Sequence, residues 1–230
     1  MRLEVGTIMS RSVVNLTVHG VGPTDRPLEP NEDQTWVTVE QFEQVLDAAA
    51  GRPDVRITFD DGNASDVEIA LPRLVERGLT ADFFVLAGLI GQPGRIDLDG
   101  LHALRKAGMR IGSHGWSHRN WRQLTDEQAR EEIVQAADVL ADLTGELVTE
   151  VAIPFGSYDR HVLRRLRRAG VQRVYTSDGG RATAGSWLQP RNSLRHDSGA
   201  KWAQEVLTGT PSVPVRARRT AARAIKRLRG

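Results

Sequence analysis

Cysteine is absent from the 230 residues of the sequence. Disulfide bonds and thiolate metal sites are therefore excluded, and any bound metal must be held by nitrogen and oxygen ligands. No apolar run approaches the length that a bilayer span needs. The first twelve residues include Arg2, Glu4 and Arg11 and contain no continuous apolar segment of the kind found in signal peptides. These absences predict a cytoplasmic protein.

The rest of the composition is that of an ordinary folded domain. Hydrophobic residues make up 40% of the chain and charged residues 26%, as in most globular proteins. A chain of 230 residues can bury one sizeable core, and it is within the range in which α/β barrels form a single domain.

Basic residues concentrate at the C-terminal end. Seven of the 31 basic residues lie in 216–230, a segment without acidic residues, which leaves 24 basic against 29 acidic residues elsewhere. A run of like charges is most often a solvated extension, so we divide the chain into a folded body, 1–208, and a basic tail, 209–230. The alternative is an arm that makes peripheral contact with anionic membrane lipids. We expect no specific nucleic-acid partner, because the body has no basic stripe with aromatic residues.

Apolar periodicity predicts strands that alternate with helices. The predicted strands are 12–20, 55–59, 81–86, 109–113, 151–153, 173–176 and 187–194, with helices near 39–50, 66–77, 98–108, 125–145 and 159–170. The long helix has the clearest start, since Thr125 and Gln128 form a capping-box pattern. Strands alternating with helices predict a parallel sheet, and seven of them favour a closed or nearly closed α/β barrel. An open sheet stays possible, because periodicity does not report closure.

Polar residues follow the predicted strands at the ends that would form the mouth of such a barrel. Asp60 and Asp61 end the second strand, and His114 and His118 follow the fourth. Each pair is a weak signal alone, since Asp-Asp-Gly is most often a turn. A spacing of four residues can bring both imidazoles to one side of a helical turn. Together the pairs offer a ligand set suited to zinc or a similar divalent ion, with a second carboxylate beside it as a base.

Three segments resemble successive motifs of the polysaccharide deacetylases, the NodB-homology domain or carbohydrate esterase family four. They are Thr-Phe-Asp-Asp-Gly at 58–62, Ser-His-Gly-Trp-Ser-His at 113–118 and Pro-Phe-Gly-Ser-Tyr at 154–158. The resemblance extends over about residues 12–195. It implies a distorted (β/α) barrel with about seven parallel strands that removes an N-acetyl or O-acetyl group from a sugar. In that scheme Asp60 is the general base, and Asp61, His114 and His118 hold a divalent ion, for which zinc is our prediction.

The resemblance also implies a substrate site around the ligands. The third motif would contact substrate through Pro154, Phe155 and Gly156, with the backbone N–H of Phe155 as the donor to the acyl oxyanion. Asp178 is the nearest match to an aspartate of the family's next motif, although no tryptophan follows it four residues on.

Two histidines outside the metal set are further candidates. The Leu-Arg-His segment at 194–196 fits a leucine-x-histidine motif of the family. It makes His196 the candidate general acid, because an imidazole of ordinary pKa can protonate an amine leaving group. His19 ends the first predicted strand, where it either contacts substrate or has a structural role.

Two positions depart from the family pattern. Many members have an arginine that pairs with the general base where this chain has Ala152. Arg191, near the seventh strand, is our candidate for that task, and a surface ion pair is the alternative. Gly115 stands where a small hydroxyl residue usually follows the first histidine, which puts the rigidity of that loop in question.

Three functions remain open at this point. The leading one is hydrolysis of an acetamido sugar, and a cytoplasmic location favours a lipid-linked or nucleotide-linked glycan precursor over a finished polymer. The second is cleavage of formamides or small linear amides by the same fold. The third is a glycan-binding module without turnover, which Ala152 and the missing tryptophan would suggest.

Overall fold

The computed structural model describes residues 12–24, 26–28, 30–209 and 213–229. Residues 1–11, on which the signal-peptide argument rested, and residues 210–212 of the predicted tail lie outside these ranges.

A barrel of parallel strands forms the centre of the fold. Its strands are β1 (Ser12–Val18), β4 (Val55–Asp61), β5 (Ala81–Val85), β6 (Arg110–Ser113), β7 (Glu150–Ala152), β8 (Arg173–Thr176) and β10 (Leu188–Ser193). Each pairs in parallel with the next, and β10 pairs with β1 to close the ring. The predicted fold class, an α/β barrel with about seven parallel strands, is confirmed. The shortest strand pairing in the ring is that of β6 with β7, which consists of Ser113 and Val151.

Three short strands lie outside the ring. They are β2 (Gly20–Val21), β3 (Trp36–Val37) and β9 (Ala182–Thr183). Strands β2 and β3 pair with each other beyond the end of β1. Strand β9 pairs in antiparallel fashion with Ser12 and Val13, the two residues of β1 that precede its pairing with β4.

The predicted helices are present around the barrel. The α-helices of the described chain are α1 (Val39–Ala49), α2 (Leu71–Glu76), α3 (Leu98–Lys106), α4 (Asp126–Ala129), α5 (Ala136–Thr144), α6 (Arg160–Arg168), α7 (Ala200–Thr208) and α8 (Val213–Leu228). Thr125 and Gln128 form the predicted capping box at the start of α4. Helix α7 was not predicted; its buried Ala203 and Leu207 extend the main hydrophobic cluster. None of these helices has the length and apolar character that crossing a bilayer requires.

The predicted basic tail contains α8, a helix that was not predicted. The division of the chain at residue 208 stays a prediction.

Strand alternation gives the barrel a polar interior. On β1, Val14 and Leu16 belong to the hydrophobic cluster shared with the helices, whereas Asn15 donates to the side chain of Gln189 on β10 at 3.1 Å. Successive residues of a strand point to opposite faces. The inward positions of β1, β4 and β10 are therefore the polar ones, and they prepare the interior for charged groups near the mouth.

Two π-helical turns interrupt the outer helices, and each carries a buried carboxylate. Asp66–Ala70 precedes α2 and contains Asp66, which is 1% exposed. Arg130–Gln135 lies between α4 and α5 and contains Glu132, which is 0% exposed. Turns of this kind are frequent beside functional sites. The two carboxylates differ, since Glu132 has several hydrogen-bond donors, whereas neither oxygen of Asp66 accepts from a side chain of the described residues.

We predict that Asp66→Asn stabilises the protein at alkaline pH. Burial, followed by the nearby charge of Asp61, raises the pKa of Asp66 well above its usual value. The neutral acid is therefore favoured in the fold, and stability falls as pH rises from the unfolded pKa of about 4 towards the folded one. We expect a gain of about 1–3 kcal/mol in unfolding free energy at pH 8, shrinking below pH 5.

Thermal unfolding of the two proteins at both pH values, with chelator present, measures this difference. The exposed Asp138→Asn is the matched control and should change little at either pH. A lower melting temperature for Asp66→Asn at pH 8 would show that the ionised carboxylate has a stabilising partner.

Candidate metal centre and active site

A cavity of about 630 Å³ opens at the mouth of the barrel. Its lining comes from the segments that follow the carboxyl ends of the strands, where an α/β barrel presents its functional residues. The predicted site residues in this lining are His19, Asp60, Asp61, His114, His118, Phe155 and Arg191.

Asp61, His114 and His118 converge within the cavity. Oδ1 of Asp61 lies 3.4 Å from Nε2 of His114 and 3.6 Å from Nε2 of His118. One ligand atom from each residue lies within 4.8 Å of the others. The histidines approach each other through a loop, not through the helical turn that their spacing suggested, because His118 has a left-handed backbone with φ 59°.

The donor atoms fit a divalent cation. Oδ1 of Asp61 is buried and has no hydrogen-bond partner among the described residues. Nδ1 of His114 lies 2.9 Å from the carbonyl oxygen of Ala152 and must donate to it, so Nε2 presents a lone pair towards Asp61. Burial lowers the pKa of His114, which favours the neutral imidazole that binds metals. Hydrogen bonding of the distal ring nitrogen to a carbonyl is the usual way in which a ligating histidine is oriented.

Asp60 is paired with Arg191 inside the barrel. The guanidinium donates from Nη1 and Nη2 to the two carboxylate oxygens at 2.6 Å each, and Nη1 also donates to Thr58 Oγ1 at 3.1 Å. Arg191 is 1% exposed, so the alternative of a surface ion pair is wrong. Burial alone would raise the pKa of Asp60, but the charge of Arg191 and then that of His114 hold it well below its usual value.

The surroundings of the Arg191 guanidinium explain how it can replace the arginine that many family members have at the position of Ala152. Ala152, Phe84 and Tyr175 form a separate buried cluster in the barrel interior. The carbon Cζ of Arg191 lies 5.4 Å from the ring centroid of Phe84 and 5.7 Å from that of Tyr175. The small side chain of Ala152 contributes no charge there, and the guanidinium enters from β10 instead of from the strand that carries position 152.

His19 and Phe155 complete the arrangement. Nε2 of His19 lies 4.0 Å from Oδ2 of Asp60, and the side chain is 20% exposed. The ring of Phe155 packs on His118 with centroids 4.3 Å apart and is 63% exposed at the rim. The backbone of Phe155, like that of Asp61 and Asn31, is left-handed. Non-glycine residues of this conformation cost about 1–3 kcal/mol each and cluster at functional sites.

The remaining predicted residues do not line the cavity. His196 is exposed, and its Nδ1 lies 3.4 Å from the carbonyl oxygen of Gln34, so the geometry does not support it as the general acid. Pro154 and Gly156 are buried in the turn that presents Phe155.

Asp178 is likewise engaged away from the cavity. Its carboxylate accepts from Tyr158 at 2.7 Å, Thr176 at 2.9 Å and Lys226 at 2.8 Å. The predicted substrate contact therefore has no geometric support, because these three donors already use the carboxylate.

Sequence reasoning missed Glu132, which holds the histidine loop. Its carboxylate accepts from the backbone N–H groups of Trp116 at 3.0 Å and Ser117 at 3.1 Å, and from Ser117 Oγ at 2.8 Å. A Cβ on Gly115 would lie 2.4 Å from Oε2 of Glu132. The carboxylate thus occupies the space beside position 115 and supplies the rigidity that a hydroxyl residue there would give. A signal was present, since Glu132 is a charged residue on the apolar face of its helix, three residues after Ala129.

Comparison with known proteins agrees with the family resemblance of the three sequence motifs. The profile of the polysaccharide deacetylase family matches residues 47–174. The Bacillus subtilis protein YxkH, named as a polysaccharide deacetylase, is 25% identical over 145 residues, which are 63% of this chain and 52% of that protein. The peptidoglycan-N-acetylglucosamine deacetylase PgdA of Listeria monocytogenes is 28% identical over 114 residues, which are 49% of this chain and 23% of PgdA. The chain thus matches about half or less of the length of these relatives.

Two solved structures share the fold. The Streptococcus pyogenes deacetylase PplD, solved with acetate, has a TM-score of 0.74 at 19% identity and covers 88% of this chain and 100% of its own. IcaB from Ammonifex degensii has a TM-score of 0.68 at 23% identity and covers 84% of this chain and 97% of its own. At these identities the likeness is evidence for the fold alone.

We predict that Glu132→Gln weakens metal binding while the protein stays folded. The amide keeps the shape of the side chain but loses the charge that strengthens its bonds to the loop N–H groups. Substitution of a residue that supports a metal ligand typically lowers the metal affinity by about 10- to 100-fold. Competition with a fluorescent chelator measures the affinity, and circular dichroism reports the fold.

The neighbouring Glu131→Gln is the matched control, because Glu131 faces solvent and pairs with Arg119. Equal zinc affinity in Glu132→Gln and Glu131→Gln would show that the buried carboxylate does not position the histidines.

Proposed function

Because the chain belongs to the polysaccharide deacetylase family, we propose that it hydrolyses the acetamido group of a sugar in a glycan or glycan precursor. The observation that carries this proposal is the convergence of Asp61, His114 and His118 in a cavity that also holds the Asp60 carboxylate. We propose zinc as the ion, since two imidazoles and one carboxylate leave positions open for water and substrate.

Asp60 is the proposed general base. Asp61, His114 and His118 would hold the ion, which would supply Lewis acidity to a water and to the acyl oxygen. Arg191 keeps Asp60 ionised and orients both of its oxygens, so the carboxylate is ready to accept the proton of the attacking water. The backbone N–H of Phe155, on the rim beside His118, is the proposed donor to the oxyanion that forms on the acyl group.

His19 replaces His196 as the proposed proton donor. It lies in the cavity 4.0 Å from Asp60, and its buried Nδ1 has no partner among the described residues. An imidazolium in this position can donate its proton to the amide nitrogen as the carbon–nitrogen bond breaks, so that the sugar leaves as the free amine and the acyl group becomes acetate.

The substrate class rests on the family and its named members. PgdA is named for N-acetylglucosamine in peptidoglycan, and we propose an N-acetylated sugar of this type for the present chain. Action on a lipid-linked or nucleotide-linked precursor, and a cytoplasmic location, stay predictions. A glycan-binding module without turnover was suggested mainly by Ala152. Arg191 supplies the cation that Ala152 does not, which weakens that alternative.

We expect Asp60→Asn to lower acetate release by at least about 100-fold, the usual contribution of a general base. Chelator should abolish activity of the unchanged protein and zinc should restore it. The assay uses a panel of acetamido sugars in free, nucleotide-linked and polymeric form, with Asp138→Asn as the control. Turnover that survives both chelator and Asp60→Asn would refute the proposal.

We expect His19→Gln to reduce deacetylation of an acetamido sugar by about 100-fold or more, and His196→Gln to change it little. The two variants are matched, since each removes one imidazole and keeps a polar side chain. Hydrolysis of p-nitrophenyl acetate should be retained in His19→Gln, because that leaving group needs no proton. Loss of activity in His196→Gln alone would return the acid role to His196.

A further inference from the structure

Helix α8 contacts the body through its basic residues. Lys226 donates to the carbonyl oxygen of Gly156 at 3.1 Å and to Oδ1 of Asp178 at 2.8 Å, and Arg223 donates to the carbonyl oxygen of Gly179. Arg223 and Lys226 are the partly buried side chains among those described on this helix, and the others are exposed. The polar edge of α8 therefore faces the protein.

The apolar stripe of the same helix faces away from the body. Its members recur at helical spacing and are all exposed: Ala217, Ala221, Ala224, Ile225 and Leu228. Ile225 is 63% and Leu228 78% exposed. Amphipathic helices of globular proteins normally bury this stripe against the core. Here the arrangement is reversed, and nothing in the described part of the chain covers the stripe.

A shallow groove of about 800 Å³ lies between α6 and α8. Six arginines line it: Arg160, Arg164, Arg167, Arg181, Arg223 and Arg227. No acidic residue belongs to its lining, and Cζ of Arg167 lies 3.6 Å from the ring centroid of Trp187. Guanidinium groups bind phosphate oxygens in a planar, bidentate way that an ammonium group does not match.

We propose that α8 and this arginine groove form one surface that binds anionic phospholipid at a bilayer. The stripe centred on Ile225 and Leu228 would enter the boundary between headgroups and acyl chains, as interfacial helices do. Arg164, Arg167 and Arg227 would bind the phosphates around it, and Trp187 is of the type enriched at that depth. This surface is independent of the proposed hydrolysis, since it uses none of the residues in the mouth of the barrel.

A lipid surface fits these features better than two other occupants. Nucleic acid would use the arginines but would leave the exposed Ile225 and Leu228 without a partner. A second copy of the chain could cover the stripe, but it would bring two sets of arginines together. An anionic bilayer matches both the charge and the apolar stripe.

Co-sedimentation of the full chain with vesicles tests the proposal. Binding is expected with mixed phosphatidylcholine and phosphatidylglycerol and not with phosphatidylcholine alone. Ile225→Glu with Leu228→Glu should lower the bound fraction at least tenfold relative to Leu147→Glu, since Leu147 is equally apolar, 87% exposed and distant from α8 in the chain. Arg164→Gln with Arg227→Gln should weaken binding about fivefold per charge removed.

Two further measurements separate a bilayer from other sources of the same chemistry. Free glycerol phosphate should not compete with the vesicles, because it offers no apolar phase for the stripe. Sedimentation velocity without lipid should show the same oligomeric state for the unchanged protein and the stripe variant. Vesicle binding unchanged by the stripe substitutions, competition by free phosphate, or an oligomer lost in the stripe variant would each overturn the proposal. Acetate release does not enter the test, so its result is separate from that of the proposed reaction.

Discussion

The ion pair between Arg191 and Asp60 is the contact on which both the barrel and the candidate site depend. Both side chains are almost completely buried, at 1% and 2% exposure, and a buried charge without its partner costs about 3–5 kcal/mol. Arg191 is on β10 and Asp60 on β4, with β1 between them. The pair therefore exists only when β10 closes on β1, so closure of the ring and orientation of the carboxylate are one physical requirement.

The mouth of the barrel departs from regular backbone at two of the candidate metal ligands, Asp61 and His118. Neighbouring residues of a strand point to opposite faces, so Asp60 and Asp61 could not both reach one cavity if β4 continued regularly. The positive φ of Asp61, 78°, turns its side chain towards the histidines. The backbone of His118 is also left-handed, and the N–H groups of Trp116 and Ser117 donate to the charged carboxylate of Glu132, which offsets the strain of that loop. Function and strain coincide because the site needs directions that a regular strand does not offer.

The sequence predicted the ring of strands and the cluster of Asp61, His114 and His118 because both depend on local patterns. Alternating elements, the Thr125 capping box and the three motifs each occupy a short stretch of chain. The polar residues that accompany the metal cluster were harder to predict from the sequence. His19, His196 and Asp178 all follow strands, and only packing decides which of them faces the cavity. Arg191 was found because the family resemblance implies a cation beside Asp60 and Ala152 does not supply one. Glu132 was missed because its donors come from another part of the chain.

Helix α8 shows why charge composition alone does not predict what a basic segment contacts. Its seven basic residues, counted with Arg229, read as a solvated tail, yet Lys226 reaches the turn that carries Phe155 and the carboxylate of Asp178. Asp178 thus helps to anchor the helix through Lys226, and the same ion pair holds its carboxylate away from the cavity. Because Arg223 and Lys226 face the body, the apolar residues on the opposite side of the helix are exposed. The orientation of α8, rather than its composition, is what gives the outer surface of this protein both an apolar stripe and a basic border.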